Sequence, residues 1–268
     1  MTPYKLEAGT AQHIGNRPQQ NDRAAIFTGA RAPGYMLAVL SDGILGGATA
    51  SEQVLHTAKL AFDQFKPGDN PSTERLATLL REIVLETHML IKMNGFTTEE
   101  EAHASFVGLI ITPQGKAVWA HVGDSRLYHF HRSECKTRTS DAAYIDHLVG
   151  TDCLPLEAAK SHRHSKLLVN VLGNTRKEPF TTVGSLEQVS AGDTFLLCTD
   201  GLWHFFTDAE LGAVTSKATP RQASEMLINK AIERAQNKGD NCTMAIIKFV
   251  KLPKEVKNYV VQKMGRAV

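Results

Sequence analysis

Hydrophobic residues in this chain gather into short runs: AAIFTG, GYMLAVLSD, ASFVGLIIT, KAVWAHVGD, SRLYHFH, DTFLLCTD and CTMAIIKFV, each bounded by Gly, Pro, Asp or Ser. Rich in Val, Ile, Leu, Phe and Tyr, they predict strands. Pro113 and Gly115 supply turn chemistry between two of them, so ASFVGLIIT and KAVWAHVGD are expected to pair as an antiparallel hairpin. After the second run the period changes. Val54, Ala58, Ala61, Phe62 and Phe65 recur at helical spacing, and Leu76, Leu80, Ile83 and Leu90 do so in the next segment. Nearer the C-terminus, Thr207 with Glu210 and Thr219 with Gln222 fit capping boxes, Pro220 takes the favoured first helical position, and Gly239 is expected to stop the second helix. Blocks of strands interrupted by paired helices predict an antiparallel α+β domain with sheets inside and helices outside.

Length and composition narrow this further. A chain of 268 residues with 42% apolar content can bury one large core, and one domain over residues 1–250 is the expectation. Residues 139–180 carry helical pieces and polar turns without a clear strand and read as a surface excursion. The tail from Lys251 to Val268 is basic, with Val256, Val260 and Met264 roughly in line, which predicts a short docked helix rather than a membrane anchor. The formal charge of +2 comes from 30 basic and 28 acidic residues without a block of either sign, so no nucleic acid is expected as partner. MTPYKLEAGT lacks the apolar core of a signal peptide, and no run reaches the roughly 18 residues that span a bilayer. A cytoplasmic monomer is expected.

Cys135, Cys153, Cys198 and Cys242 show no C-x-x-C pair, which argues against a zinc knuckle or redox motif; Cys198 and Cys242 read as small buried hydrophobes. His129 with His131, and His162 with His164, have suggestive spacing but no third partner in sequence, and read as solvated or hydrogen-bonded pairs rather than zinc sites.

The acids repeat a pattern. Apolar runs end on Asp42 in LAVLSDG, on Asp124 in AHVGDSRLY and on Asp200 in FLLCTDG, while Asp240 precedes a run in GDNCTMAIIKF. If the sheets pack face to face, strand ends cluster at one edge of the sandwich and these carboxylates converge. Convergent carboxylates repel unless a cation neutralises them, and oxygen-only ligands suit Mg²⁺ or Mn²⁺ rather than zinc or copper. Gly43 and Gly201 would let backbone and water approach an ion closely.

GNRPQQNDR (15–23), SDGILGG (41–47), AHVGDSRLY (120–128), LLCTDGLW (196–203) and GDNCTM (239–244) resemble, in order and spacing, the motifs of the metal-dependent serine/threonine protein phosphatases of the type-2C (PPM) family, in their compact bacterial form. The resemblance implies a four-layer α-β-β-α sandwich, two packed antiparallel sheets flanked by helix pairs. It implies two Mn²⁺ or Mg²⁺ ions with a weaker third, and hydrolysis of phosphoserine and phosphothreonine in proteins by a metal-activated water without a phosphoenzyme. Asp42 would bridge two ions, Gly43 would offer its carbonyl, Asp200 and Asp240 would ligate one ion, and Asp22 would act through coordinated water. Asp124 with Asp200 matches the third site, and Arg17 matches the arginine that grips substrate phosphate. Residues 143 to about 180 correspond to the variable flap. A phosphorylated protein is the implied partner, with a serine/threonine kinase or its target beside it.

The chain departs from the family at Gln20–Asn21, at Ile44–Leu45 where no histidine acid follows Gly43, at Ala104–Ser105–Phe106, and at Asp141–Ala142–Ala143. These changes spare the acids and alter their surroundings. Two other classes stay open on sequence: a weak or inactive phosphatase-fold module that binds a phosphoprotein or kinase, and a hydrolase of a small phosphoester.

Overall fold

In the computed structural model, which describes residues 4–45, 48–68, 71–98, 101–139 and 170–252, the apolar runs are strands covered on both faces, which is why they do not alternate with polar residues. One five-stranded antiparallel sheet has the order β1 (Tyr4–His13), β12 (Cys242–Lys251), β11 (Asp193–Cys198), β8 (Arg126–His131), β9 (Glu134–Arg138). The other has the order β10 (Thr182–Leu186), β7 (Ala117–Val122), β6 (Phe106–Ile111), β3 (Met36–Ser41), β2 (Arg23–Thr28). A short ribbon pairs β4 (Gly43–Leu45) with β5 (His103–Ala104). The expected hairpin is the β6–β7 pair, with Phe106 opposite Val122.

Successive side chains of a strand point to opposite faces, and here each face has its own core. Met36, Ala38 and Leu40 of β3 pack between the sheets against Phe195, Leu197, Ala245 and Ile247. Leu37 and Val39 face outward onto Val54, Ala58 and Phe62 of α1 (Ala48–Gln64) and Leu76, Leu80 and Ile83 of α2 (Thr73–Thr98). On the other side Leu196, Cys198, Met244 and Ile246 meet Leu211 of α4 (Asp208–Lys217) and Leu227 and Ala231 of α5 (Pro220–Ala235). The result is the expected four-layer sandwich. Each fully buried Leu or Phe contributes about 1.5–3 kcal/mol, so three cores supply the main driving force.

Both capping boxes form: Thr207 and Glu210, and Thr219 and Gln222, exchange side-chain and backbone hydrogen bonds at the starts of α4 and α5. Gly239 does not end α5. The helix stops at Ala235 because Gln236 (φ 49°) and Asn237 (φ 63°) turn left-handed. Gly239 instead belongs to the loop against residue 16, where Asn16 N donates to its carbonyl and its own N donates to Asn16 Oδ1. The sequence pattern also misses β1, β9 and β10, all edge strands with polar, partly exposed positions. It misses α3 (Asp200–Trp203), a single turn that begins where β11 ends.

Cys198 and Cys242 are buried, as expected. His129 and His131 share a partner that lies far away in sequence: Asp193 Oδ1 is 3.3 Å from His129 Nε2 and 2.8 Å from His131 Nδ1. Ser190 donates to Asp193 Oδ2 from its N at 2.6 Å and its Oγ at 3.1 Å. Burial pushes this carboxyl up, but the His129, Ser190 and His131 hydrogen bonds outweigh burial and hold it down at about 2. A depressed folded value makes its contribution present above the usual carboxylate value near 4 and lost as pH falls through about 2. Asp193→Asn is therefore expected to destabilise the protein by about 1–3 kcal/mol at neutral pH. In urea unfolding the difference from wild type should fade below about pH 4.

The expected excursion over 143–180 lies outside the described residues up to 169. Residues 170–172 are described, and there Leu172 bridges Ala104 and Val171 and Leu172 are buried. Cys153, His162, His164, the Asp141–Ala142–Ala143 motif and the tail beyond residue 252 also lie outside the described residues.

Candidate metal centre

Antiparallel pairing decides where the acids end up. Asp22 precedes β2 and Asp42 follows β3, its neighbour; Asp200 follows β11 and Asp240 precedes β12, again neighbours. Asp124 lies in the crossover from β7 in one sheet to β8 in the other. All five therefore lie at one end of the sandwich.

The backbone of Asp42 is held by Ser105. Asp42 N donates to Ser105 Oγ at 2.9 Å, and Ser105 N donates to Asp42 O at 2.9 Å. Ser41 Oγ donates to Ser105 O at 2.7 Å, and Ser105 Oγ lies 2.7 Å from Ser125 Oγ. The departure at Ala104–Ser105–Phe106 thus keeps the hydroxyl that fixes Asp42. Gly123, beside Asp124, is left-handed (φ 91°), and a Cβ there would sit 2.9 Å from Ser105 Cβ, so glycine alone suits this crossover. Gly43 is buried and pairs with Ala104.

Asp22 is 1% exposed and accepts a hydrogen bond from Thr199 Oγ1 at 2.9 Å. Asn241, which sequence reasoning did not single out although it stands in GDNCTM, organises the loop before it. Its Oδ1 accepts from Asn21 N at 2.7 Å, and its Nδ2 donates to Ile14 O at 2.8 Å and Gln19 O at 3.0 Å. The exchanged order Gln20–Asn21 is accommodated because position 21 is gripped through its backbone.

Electrostatics show how close the carboxylates come. Burial pushes Asp42 up to about 10, reinforced by Asp22, Asp124 and Asp200 and by a hydrogen bond to Asp22. Burial raises Asp22 to about 6 against the pull of hydrogen bonds from Thr199, Thr243 and Asp42. Asp200 is raised by burial and then by Asp240, and its Oδ1 is buried without a hydrogen-bond partner. Arg17 stands at the rim, its Nε 2.8 Å from Asp240 Oδ1 and its Nη2 2.5 Å from Oδ2. Asp240 holds this guanidinium above its usual value, and Asp200 and Asp42 add to the effect.

Among the described residues no three His, Cys, Asp or Glu side chains stand in a closed ligand arrangement. The hydrogen bonds say why: Asp240 gives both oxygens to Arg17, while Asp22 and Asp42 bond to each other. The donor set itself fits a hard divalent cation: it is all oxygen, ranges from the buried Asp22 to the half-exposed Asp240 at the rim, is mutually repulsive when ionised, and includes one oxygen without a partner.

The fold and motif order have known counterparts. The serine/threonine phosphatase stp of Listeria monocytogenes is 29% identical over 257 residues, covering 91% of this chain and 94% of that protein. The chain is thus similar to bacterial serine/threonine phosphatases of the type-2C kind along nearly its whole length. No protein-family model matches it. The Streptococcus agalactiae serine/threonine phosphatase shares the type-2C fold with a TM-score of 0.76 at 23% identity, covering 92% of this chain and all of that one. So does the catalytic domain of PstP, a Mycobacterium tuberculosis protein solved with two manganese ions, at a TM-score of 0.68 and 24% identity, over 92% of this chain and 99% of that one. Within the type-2C frame, Arg17 and the five aspartates occupy one end of this sandwich.

Proposed function

We propose that the chain removes phosphate from phosphoserine and phosphothreonine in proteins, using Mn²⁺ or Mg²⁺. The observation that carries this reading is the meeting of Asp22, Asp42, Asp124, Asp200 and Asp240 at one end of the sandwich with the Arg17 guanidinium at their rim. Asp42, Asp200, Asp240 and the Gly43 carbonyl would hold the two tighter ions, with Asp22 beside Asp42, and Asp124 with Asp200 would hold a weaker one. When bound, the ions supply Lewis acidity toward water and the phosphoryl oxygens, and the reaction needs no phosphoenzyme.

The chain's own groups do the rest. Arg17 presents a planar fork that two phosphate oxygens can occupy in place of the Asp240 carboxylate. Without an ion, burial and mutual charge hold Asp22 and Asp42 above ordinary carboxylates, so they would give up protons to make room for one. Ile44 has no proton to give, so the leaving alkoxide takes its proton from solvent. Among the described residues no helix is long and apolar enough to cross a membrane. The serine/threonine kinase that forms these phosphoesters is the implied opposing activity.

The test is phosphate release from a phosphothreonine peptide with Mn²⁺ present, and a protein that binds the peptide without releasing phosphate would overturn the reading. Arg17→Ala is expected to raise KM about 10- to 100-fold, the loss of a charge-assisted hydrogen-bond pair. Because the same change removes the guanidinium that occupies Asp240, Mn²⁺ binding measured by calorimetry should not weaken.

A further inference from the structure

Trp203 sits three residues after Asp200, at the end of the single turn α3. Its indole Nε1 donates to the backbone carbonyl of Asp124 at 3.0 Å. The guanidinium carbon of Arg126 stacks 3.3 Å over the same ring, and the ring of His204 packs on it at 3.9 Å between centroids. The indole is therefore clamped by side chains from both segments. On its other side the crossover that carries Asp124 is fixed by Ser125 Oγ on Ser105 Oγ and by the left-handed Gly123. The carbonyl of Asp124 is thus tied to the helix that begins with Asp200.

We infer that Trp203 is a positioning residue: its N–H sets the separation of Asp124 and Asp200, and so the affinity of the weaker ion site between them. The inference rests on the metal-dependent reading proposed above. It follows from geometry, because a backbone carbonyl held at 3.0 Å fixes where the Asp124 side chain begins, and the donor is rigidly attached to the segment that supplies the second carboxylate. Partners that orient ligands in this way change metal affinity by about 10- to 100-fold when removed.

Two substitutions delete the N–H. Trp203→Phe keeps an aromatic face for Arg126, and benzothienylalanine at 203 keeps the whole bicyclic shape and decides the matter if the phenylalanine variant does not fold. Mn²⁺ binding is read by the electron paramagnetic resonance signal of the free ion on wild type, each variant, Asp124→Asn and the double variants. The expected result is a weakest class of sites bound about 10-fold more weakly, the tighter class unchanged, and no additional loss in the Asp124→Asn background. Wild-type binding by the benzothienylalanine protein, or an equal loss in the Asp124→Asn background, would overturn the inference while leaving the proposed function standing. Wild-type protein that binds no Mn²⁺ and releases no phosphate would bring down both.

Discussion

Asp42→Asn is expected to reduce phosphopeptide turnover by about a thousandfold or more while leaving the fold intact. Asp42 stands where three other carboxylates act on it at once, and burial with their charges pushes it up to about 10. A carboxylate that would hold the ions would support several kcal/mol of transition-state stabilisation, and about 4 kcal/mol corresponds to about a thousandfold. Asparagine keeps the shape and a hydrogen-bonding oxygen but removes the charge an ion requires. The backbone bonds to Ser105 do not involve the replaced group, so strand β3 keeps its end. In chelator the variant should unfold at the same temperature as wild type or higher, because asparagine removes the cost of keeping a carboxyl protonated among other acids at neutral pH. With Mn²⁺ at about a hundredfold excess over its Kd, wild type should gain about 2.7 kcal/mol that the variant lacks. A variant with near-normal turnover would show that the acid cluster does not carry the chemistry.

Removing divalent ions is the second large effect. Thorough chelation is expected to lower turnover by at least about a hundredfold, with recovery on addition of Mn²⁺ or Mg²⁺. Without ions the site loses that Lewis acidity and holds protons in their place. Asp22 and Asp42 are raised, to about 6 and about 10, so an ion has to displace protons from them. Binding therefore releases protons and tightens as pH rises through this range. Calorimetry in two buffers of different ionisation enthalpy measures the release directly. Undiminished turnover in chelator, or binding without proton release, would contradict the arrangement.

Particular residues show how much of this was legible in the chain. The runs around Leu37–Leu40, Leu196–Cys198 and Met244–Phe249 were readable as strands because strands covered on both faces tolerate almost no polar residue. Thr207 and Thr219 were readable as caps because a capping box is local, complete within four residues. Gly239 misled for the complementary reason. Glycine often ends a helix, but here Gln236 and Asn237 take the left-handed turn, and the glycine serves a distant contact with Asn16. The edge strand β1 escaped notice because its exposed positions are polar, and only ten residues of pairing with β12 make it a strand. His129 and His131 were a recognisable pair, but their partner Asp193 lies on a neighbouring strand that only the register of β8 and β11 brings opposite them.

By itself the sequence determined the inventory: which segments must be buried, where helices begin, and that the conspicuous acids stand at the ends of apolar runs. Those are consequences of local periodicity and local hydrogen bonding, so they can be read in order along the chain. Tertiary structure alone decided which acids meet, that Ser105 holds Asp42, that Asn241 anchors the loop from Ile14 to Asn21, and that Arg17 reaches Asp240 across 223 positions. Such contacts depend on strand register and on how two sheets stack, and a shift of one residue in register turns every side chain to the opposite face. Patterns of hydrophobicity specify that a face is buried; they do not specify which residue waits on the other side.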